Sequence, residues 1–512
     1  MKKKLIPILA WVLALLCLAG CSAGEMYNGV ALAVDGFKSE MPEAPAEPDW
    51  NTEEYDYVQE NSFVSPAAQP FATFAADVDT ASYANFRRFV QNGQTVPADA
   101  VRAEEMINYF RYDYPQPKEG EPFSVTTEIA PCPWNPDTQL LSVGLQARSL
   151  EKGEMPRSNL VFLIDVSGSM NSPNKLPLVQ RSFLTLVENL EQGDLVSMVT
   201  YAAGEKLLLD GEPAEHRQTV MAAIEGLSAA GSTQGDRALE LAYELAQKHY
   251  IEGGVNRVIM ATDGDFNVGI TSESELTRLV QEKAKSGVFL SVLGYGMGNY
   301  KDNKLESMAD NGNGNYAYID SIDEARRVLV SEAGGTLFTV AKDVKLQVEF
   351  NPAKLKGYRL IGYENRVMSA SDFADDSKDG GEIGAGHQVT ALFEIVPPDS
   401  PMEIPAPESR YGSGAGESGG AFAEELCVVN IRYKEPEGKE SALLRYPVDS
   451  AARTEMSENL SWAAGVAQTA MLLRDSAYKG SSDYPSVLER LEPIAGDDFR
   501  QEFLELLRKL SH

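Results

Sequence analysis

Apolar residues follow three rhythms along this chain. Unbroken runs such as Leu160-Val161-Phe162-Leu163-Ile164 and Val258-Ile259-Met260-Ala261 read as strands buried on both faces, as in a parallel sheet. Around them strand and helix periods alternate. The pattern predicts strand 160–164, helix 175–190, strands 195–202 and 205–210, helices 216–227 and 234–250, strand 256–262, helix 272–286, strand 288–295, helix 303–310, strand 315–319 and helix 322–333. Such alternation predicts an α/β domain with a mostly parallel sheet and helices on both faces. A second rhythm, of period two, flanks this region. It covers Phe123 to Ala130 and Leu140 to Arg148 before it, and Val344 to Phe350, Tyr358 to Tyr363, Gln388 to Val396, Leu426 to Tyr433 and Ala442 to Pro447 after it. One β-sandwich assembled from both sides, with the α/β domain as an insertion, accounts for these strands economically. The third rhythm is helical. Tyr83, Phe86 and Val90 share a face; Pro97 and Asp99 start a helix from Ala98 to Phe110; Glu455 to Leu473, Tyr484 to Leu491 and Asp498 to Leu510 close the chain. The last helix lines up Phe499, Phe503, Leu506, Leu507 and Leu510.

The chemistry concentrates where strands of the α/β region end. Asp165-Val166-Ser167-Gly168-Ser169 follows the first buried strand and precedes a helical pattern. A carboxylate and two hydroxyls thus lie in a strand-to-helix turn, at the carboxyl edge where open α/β sheets bind ligands. Three hard oxygens there suit a hard cation, Mg²⁺ before Ca²⁺, because the site is small. Gly231-Ser232-Thr233 precedes another helix, and Asp263-Gly264-Asp265 follows the strand ending at Thr262. The topology brings Thr233 and Asp263 to the same edge. Helix capping by Asp165 and Ser167 is the alternative.

The three segments, in this order and spacing, resemble the metal-ion-dependent adhesion site of von Willebrand factor type A (VWA) domains. The resemblance implies a Rossmann-like fold. It implies that Ser167 and Ser169 bind the cation through their hydroxyls and that Thr233 does so directly or through water. Asp165 and Asp263 would act from behind, mostly through water. Mg²⁺ is the expected ion, with Mn²⁺ or Ca²⁺ as alternatives, and one position would stay open for an acidic group from a partner. Gly168 and Ser232 read as turn geometry; Asp236 reads as a favourable helix N-terminal charge or as added charge behind the site.

Composition is that of a globular protein, but the net charge of −31 argues against nucleic acid and against electrostatic adhesion to anionic lipid. A bound cation would reconcile this charge with an acidic ligand. Lys2-Lys3-Lys4 and the apolar stretch Leu5 to Ala19 form a signal-like N-terminus too short for a comfortable membrane span. Leu18-Ala19-Gly20-Cys21 resembles a bacterial lipobox, which implies cleavage before Cys21 and a lipid on its sulfur. An ordinary signal peptide or a short membrane anchor are the alternatives. Anchoring through Cys21 would place the protein in the bacterial cell envelope, on the extracytoplasmic face of a membrane, inner or outer. With Cys17 removed and Cys21 lipidated, Cys132 and Cys427 remain; in an oxidising compartment they form either one disulfide or two separate buried thiols.

Phe71-Ala72-Thr73-Phe74-Ala75-Ala76-Asp77-Val78-Asp79-Thr80-Ala81-Ser82-Tyr83 resembles the opening of bacterial YfbK-type VWA lipoproteins. Asp77 and Asp79 read as strand end and helix cap rather than metal ligands. The expected organisation is a signal peptide over 1–20, a disordered acidic tether over 21–70, an N-terminal helical module over 71–118, sandwich parts over 119–150 and 339–450, the VWA domain over 155–338 and a C-terminal helical region over 451–512. A glycine-rich stretch, Gly412 to Gly416, is expected to be a mobile loop. Enzyme signatures are weak. Gly294-Tyr295-Gly296-Met297-Gly298 lacks dinucleotide spacing, and Ser172-Pro173-Asn174-Lys175 lacks the companions of a serine acylation motif. His216, His249, His387 and His512 show no zinc spacing. The sequence therefore points to a lipoprotein that binds a protein presenting an acidic residue, and not to an enzyme. A scaffold whose metal only stabilises the fold is the alternative, with a metal-dependent hydrolase behind it.

Overall fold

The computed structural model describes residues 53–511 apart from 77–78, 151, 232–235, 265–272, 298–300, 377, 379, 406–421, 423, 437 and 439. The signal-like segment, Cys21, Thr233, Asp77 and the Gly412 loop lie outside the described residues.

The elements of the described residues open with β1 (Phe71–Ala75), α1 (Ala81–Gln91) and α2 (Ala103–Asn108), then β2 (Phe123–Pro131) and β3 (Gln139–Ala147). The α/β domain follows as β4 (Ser158–Asp165), α3 (Leu176–Glu188), β5 (Leu195–Tyr201), β6 (Glu205–Pro213), α4 (Arg217–Glu225), α5 (Asp236–Lys248), β7 (Val255–Thr262), α6 (Glu273–Ala284), β8 (Phe289–Tyr295), α7 (Asp302–Asn311), β9 (Tyr316–Ile319) and α8 (Ile322–Arg326). A π-helical turn (Arg327–Ser331) and α9 (Ala333–Leu337) lead out of it. Next come β10 (Thr339–Phe350), β11 (Gly357–Ile361), β12 (Val367–Met368), β13 (Gly381–Gly384), β14 (Gln388–Val396), β15 (Glu425–Lys434) and β16 (Ser441–Asp449). Helices α10 (Glu458–Leu473), α11 (Tyr484–Leu491) and α12 (Asp498–Leu510) end the chain.

The α/β sheet runs in the order β6-β5-β4-β7-β8-β9. Every neighbouring pair is parallel except β5 with β6. Strands β4, β7 and β8 are central and almost wholly buried, which is why they lack polar alternation. The flanking strands form two antiparallel sheets, β12-β1-β10-β15-β16 with β13 on β10, and β11-β14-β3-β2. Phe74, Leu346, Val348 and Val429 of one share a core with Leu141, Val143, Leu145 and Phe393 of the other. The sandwich is thus assembled from strands on both sides of the α/β domain. Residues 71–75 belong to it: β1 pairs antiparallel with β10, Phe71 opposite Glu349 and Ala75 opposite Lys345, so the helical module expected from 71 begins only at Ala81.

The terminal helices form one bundle rather than two separate regions. Tyr83, Phe86, Met106 and Ile107 pack with Trp462, Val466, Leu491 and Phe503. Its C-terminal half has clear start signals, since Ser457, Asp483 and Asp497 each accept a hydrogen bond from the third residue onward. The expected helix from Ala98 to Phe110 is interrupted. A 3₁₀ turn ends at Ala100, and Val101 and Arg102 are extended. Ser82 Oγ takes up the freed groups, donating to Ala100 O at 2.8 Å and accepting from Arg102 N at 2.8 Å. Phe499 sits at the bundle rim, 39% exposed.

Two further expectations fail. Residues 53–70 are no tether. Glu53 grips the Arg88 guanidinium with both oxygens, at 2.7 and 2.9 Å, Asn61 donates to Leu360 O and Gly362 O, and Val64 exchanges backbone hydrogen bonds with Tyr358. Its apolar contacts are scattered, Tyr55 on the helical core and Val64 on the sandwich core, so no apolar period betrays it. Cys132 and Cys427 are not bridged. Both are free and buried, Cys132 in the helical core and Cys427 in the sandwich core.

Candidate metal centre

Asp165 is the last residue of β4, fully buried between β5 and β7 at the carboxyl edge of the sheet. Val166 N donates to Tyr201 O, and Ala230 N returns to Val166 O at 2.8 Å. The loop before α5 is therefore stitched to the loop after β4. Gly168 N adds a bond to Gly231 O at 2.9 Å, and a Cβ on Gly168 would approach that carbonyl to 3.2 Å. This close approach explains the glycine between the two serines.

Within the turn, Ser167 N donates to Asp165 Oδ1 at 2.9 Å, and the Ser167 and Ser169 hydroxyls lie 2.9 Å apart. Thr262, at the end of β7, donates its hydroxyl to Asp165 Oδ2 at 3.3 Å and accepts from Gly264 N. Asp263 follows, 1% exposed, and its Oδ2 accepts from the Lys175 ammonium at 2.8 Å. Gly264 holds φ +88°, and any Cβ there would come within 2.8 Å of Lys301 N.

Four of the five expected ligands are thus described at one edge: Asp165, Ser167, Ser169 and Asp263. Thr233, Asp265 and the side chain of Asp236 lie outside the described residues. Among the described residues no three His, Cys, Asp or Glu side chains converge as a metal cluster. The donor set here is instead two hydroxyls backed by two carboxylates, which suits a hard cation. Burial pushes the Asp165 carboxyl up to about 6, against the pull of the Ser167 and Thr262 hydrogen bonds and with a further push from Asp263. These hydrogen-bond donors are all uncharged, and a cation beside the carboxylate would supply the charge they do not.

Sequence reasoning missed two residues. Thr262 read as strand, although a hydroxyl at the last strand position beside Asp263 was the available signal. Lys175 read as a helix start. A cation between the loop and the buried Leu176 and Leu178 was its signal, and it is 8% exposed. Asp79 is not a helix cap. Its Oδ1 accepts from Tyr316 N of β9 and its Oδ2 from Arg366, tying the α/β sheet to the sandwich.

Comparison with known proteins agrees with this layout. The family model described as "von Willebrand factor type A domain" matches residues 159–329. One described as "von Willebrand factor" matches 49–142, and one described as "Uncharacterized protein YfbK, C-terminal" matches 335–512. The Escherichia coli K12 protein YfbK is 41% identical over 466 residues, covering 89% of this chain and 80% of its own. Human inter-alpha-trypsin inhibitor heavy chain H4 is 30% identical over 150 residues, 28% of this chain and 16% of its own length. A solved von Willebrand factor type A protein from Catenulispora acidiphila aligns at 16% identity and TM-score 0.42, over 78% of this chain and 91% of that one.

Proposed function

The chain belongs to the YfbK family and carries a VWA domain, and from that premise we propose that it is a lipid-anchored envelope protein that binds a partner's carboxylate through a divalent cation. Metal sites that bind partners recur among VWA domains. The observation that carries the reading is the convergence of Asp165, Ser167, Ser169 and Asp263 around a buried carboxylate faced by hydroxyls. Ser167 and Ser169 would hold Mg²⁺, or Mn²⁺ or Ca²⁺, with Thr233 completing the set. A bound cation would supply the positive charge that a negatively charged protein otherwise lacks for an acidic ligand. Asp165 orients the serine turn through Ser167 N, and Thr262 orients Asp165. The anchor would be Cys21, holding the protein at the extracytoplasmic face of a membrane.

The reading is of binding and not of catalysis. Asp165 is fully buried and hydrogen-bonded by Ser167 and Thr262, and Asp263 is engaged by Lys175. Both carboxylates are thereby engaged in holding the turn and the lysine, which supports a binding role over that of a general base. The test is thermal unfolding of the full-length chain with and without Mg²⁺. Mg²⁺ raises the wild-type melting temperature and leaves Asp165→Ala unmoved; identical unshifted melts for both chains would count against the site.

A further inference from the structure

The metal-centre reading leaves one charged group unused. Lys175 stands just before α3, and its ammonium lies 2.8 Å from Asp263 Oδ2 with the side chain only 10% exposed. The lysine is held there by more than the ion pair. Its stem crosses Gly296, which holds φ +86°, and a Cβ on that glycine would come within 2.7 Å of Lys175 Cγ. The glycine in the Gly294 to Gly298 stretch thus makes room for this stem, and the Ser172 to Lys175 motif delivers a lysine to a carboxylate rather than to a serine.

We propose that Lys175 is a resident counter-cation of the metal centre, one that stabilises the metal-free site and holds its affinity for divalent cations low. The proposal rests on the metal-centre reading above. Asp165 and Asp263 are both buried and stand at the ends of adjacent parallel strands. Two such carboxylates without a cation repel each other, and the ammonium neutralises one of them. The same fixed charge opposes a divalent ion brought to these oxygens, because repulsion at a few ångströms in a poorly solvated site is strong. The centre then retains metal weakly by itself, and an arriving carboxylate restores the charge balance that favours the ion. Lys175 acts through Asp263 and is a positioning and charge-setting residue.

The test is Mn²⁺ binding to the full-length chain in detergent, counted by the electron paramagnetic resonance signal of free Mn²⁺. Lys175→Gln keeps a hydrogen-bond donor for Asp263 without the charge, and Lys175→Arg keeps the charge. Removal of one adjacent positive charge should tighten the Mn²⁺ Kd by about tenfold or more in Lys175→Gln, with Lys175→Arg close to wild type. Metal-free Lys175→Met should melt below metal-free wild type, and saturating Mn²⁺ should close the gap. Equal or weaker Mn²⁺ binding by Lys175→Gln, with wild type still binding, overturns the role of Lys175 and leaves the metal centre standing. Absence of Mn²⁺ binding by every chain removes the metal centre and this role together.

Discussion

Substituting Glu324 by glutamine strikes the joint between the VWA domain and the terminal helix bundle. Glu324 lies in α8, 1% exposed. Its Oε2 accepts from Arg87 Nη2 of α1 at 2.8 Å and from the Tyr109 hydroxyl at 2.8 Å, and its Oε1 accepts from Arg327 Nε and Nη2 at 3.0 and 2.5 Å. Both guanidiniums are buried as well, so the substitution leaves two cations short of an anion. Breaking a buried pair costs about 3–5 kcal/mol. The lower end applies here, because Arg87 keeps Asp320 and Glu502 and Arg327 keeps Glu332. Urea unfolding at neutral pH, followed by tryptophan fluorescence, should therefore show a loss of about 3 kcal/mol in Glu324→Gln. The pH dependence gives a second reading of the same clasp. Burial pushes the Glu324 carboxyl up, but Arg327 and Arg87 outweigh it and hold the group at about 2. A depressed native value means that the stabilisation is complete above the ordinary carboxylate range and is lost as pH falls through that native value. The gap between wild type and variant should accordingly close in acid. A difference below about 0.5 kcal/mol at neutral pH, the range of ordinary surface substitutions, would refute the clasp.

The remaining predictions concern other parts of the molecule. Burial pushes the thiols of Cys132 and Cys427 up to about 12; without reductant both should resist alkylation in the native protein and both should react in urea, whereas two unreactive sulfurs in urea would mean a disulfide. Asp302 titrates with the opposite sign to Glu324. Burial raises its carboxyl to about 7 despite Arg102, so the folded state keeps a proton that the unfolded chain sheds, and stability should decline as pH rises from about 4 to 7. Asp302→Asn should flatten that decline in melting curves recorded across the range; an unchanged slope counts against it. Metabolic labelling with palmitate should vanish in Cys21→Ala, and persistent labelling would defeat the proposed anchor.

The parallel strands were the most legible part of the chain, for a physical reason. Residues 160–164 and 256–262 are buried on both faces, so their apolar runs are continuous and their ends are marked by the polar residues that turn into the site. Asp165, Ser167, Ser169 and Asp263 stand out against such strands, and the structure brings them to one edge. What stayed hidden was held by polar contacts between distant segments. Residues 53–70 carry little apolar period because Tyr55 and Val64 pack on separate cores while Glu53 and Asn61 bind through an ion pair and hydrogen bonds to partners far along the chain. Asp79 reads as a helix cap and Lys175 as a helix start in sequence, and their burial depends on partners that only the fold supplies. The break at Val101 was equally obscure, since the Ser82 hydroxyl that satisfies it comes from a different helix.

The interrupted sandwich has a consequence for synthesis. Strand β3 ends at Ala147, and β14, its neighbour on the side away from β2, begins only at Gln388. The early strands β2 and β3 can pair with each other, but an isolated hairpin is marginal in water. Leu141, Val143 and Leu145 would stay uncovered while the ribosome adds the whole intervening domain, on the order of ten seconds or more at ordinary elongation rates. That interval is an aggregation hazard, and it gives the cell a reason to shield the nascent N-terminal half until its last strands emerge.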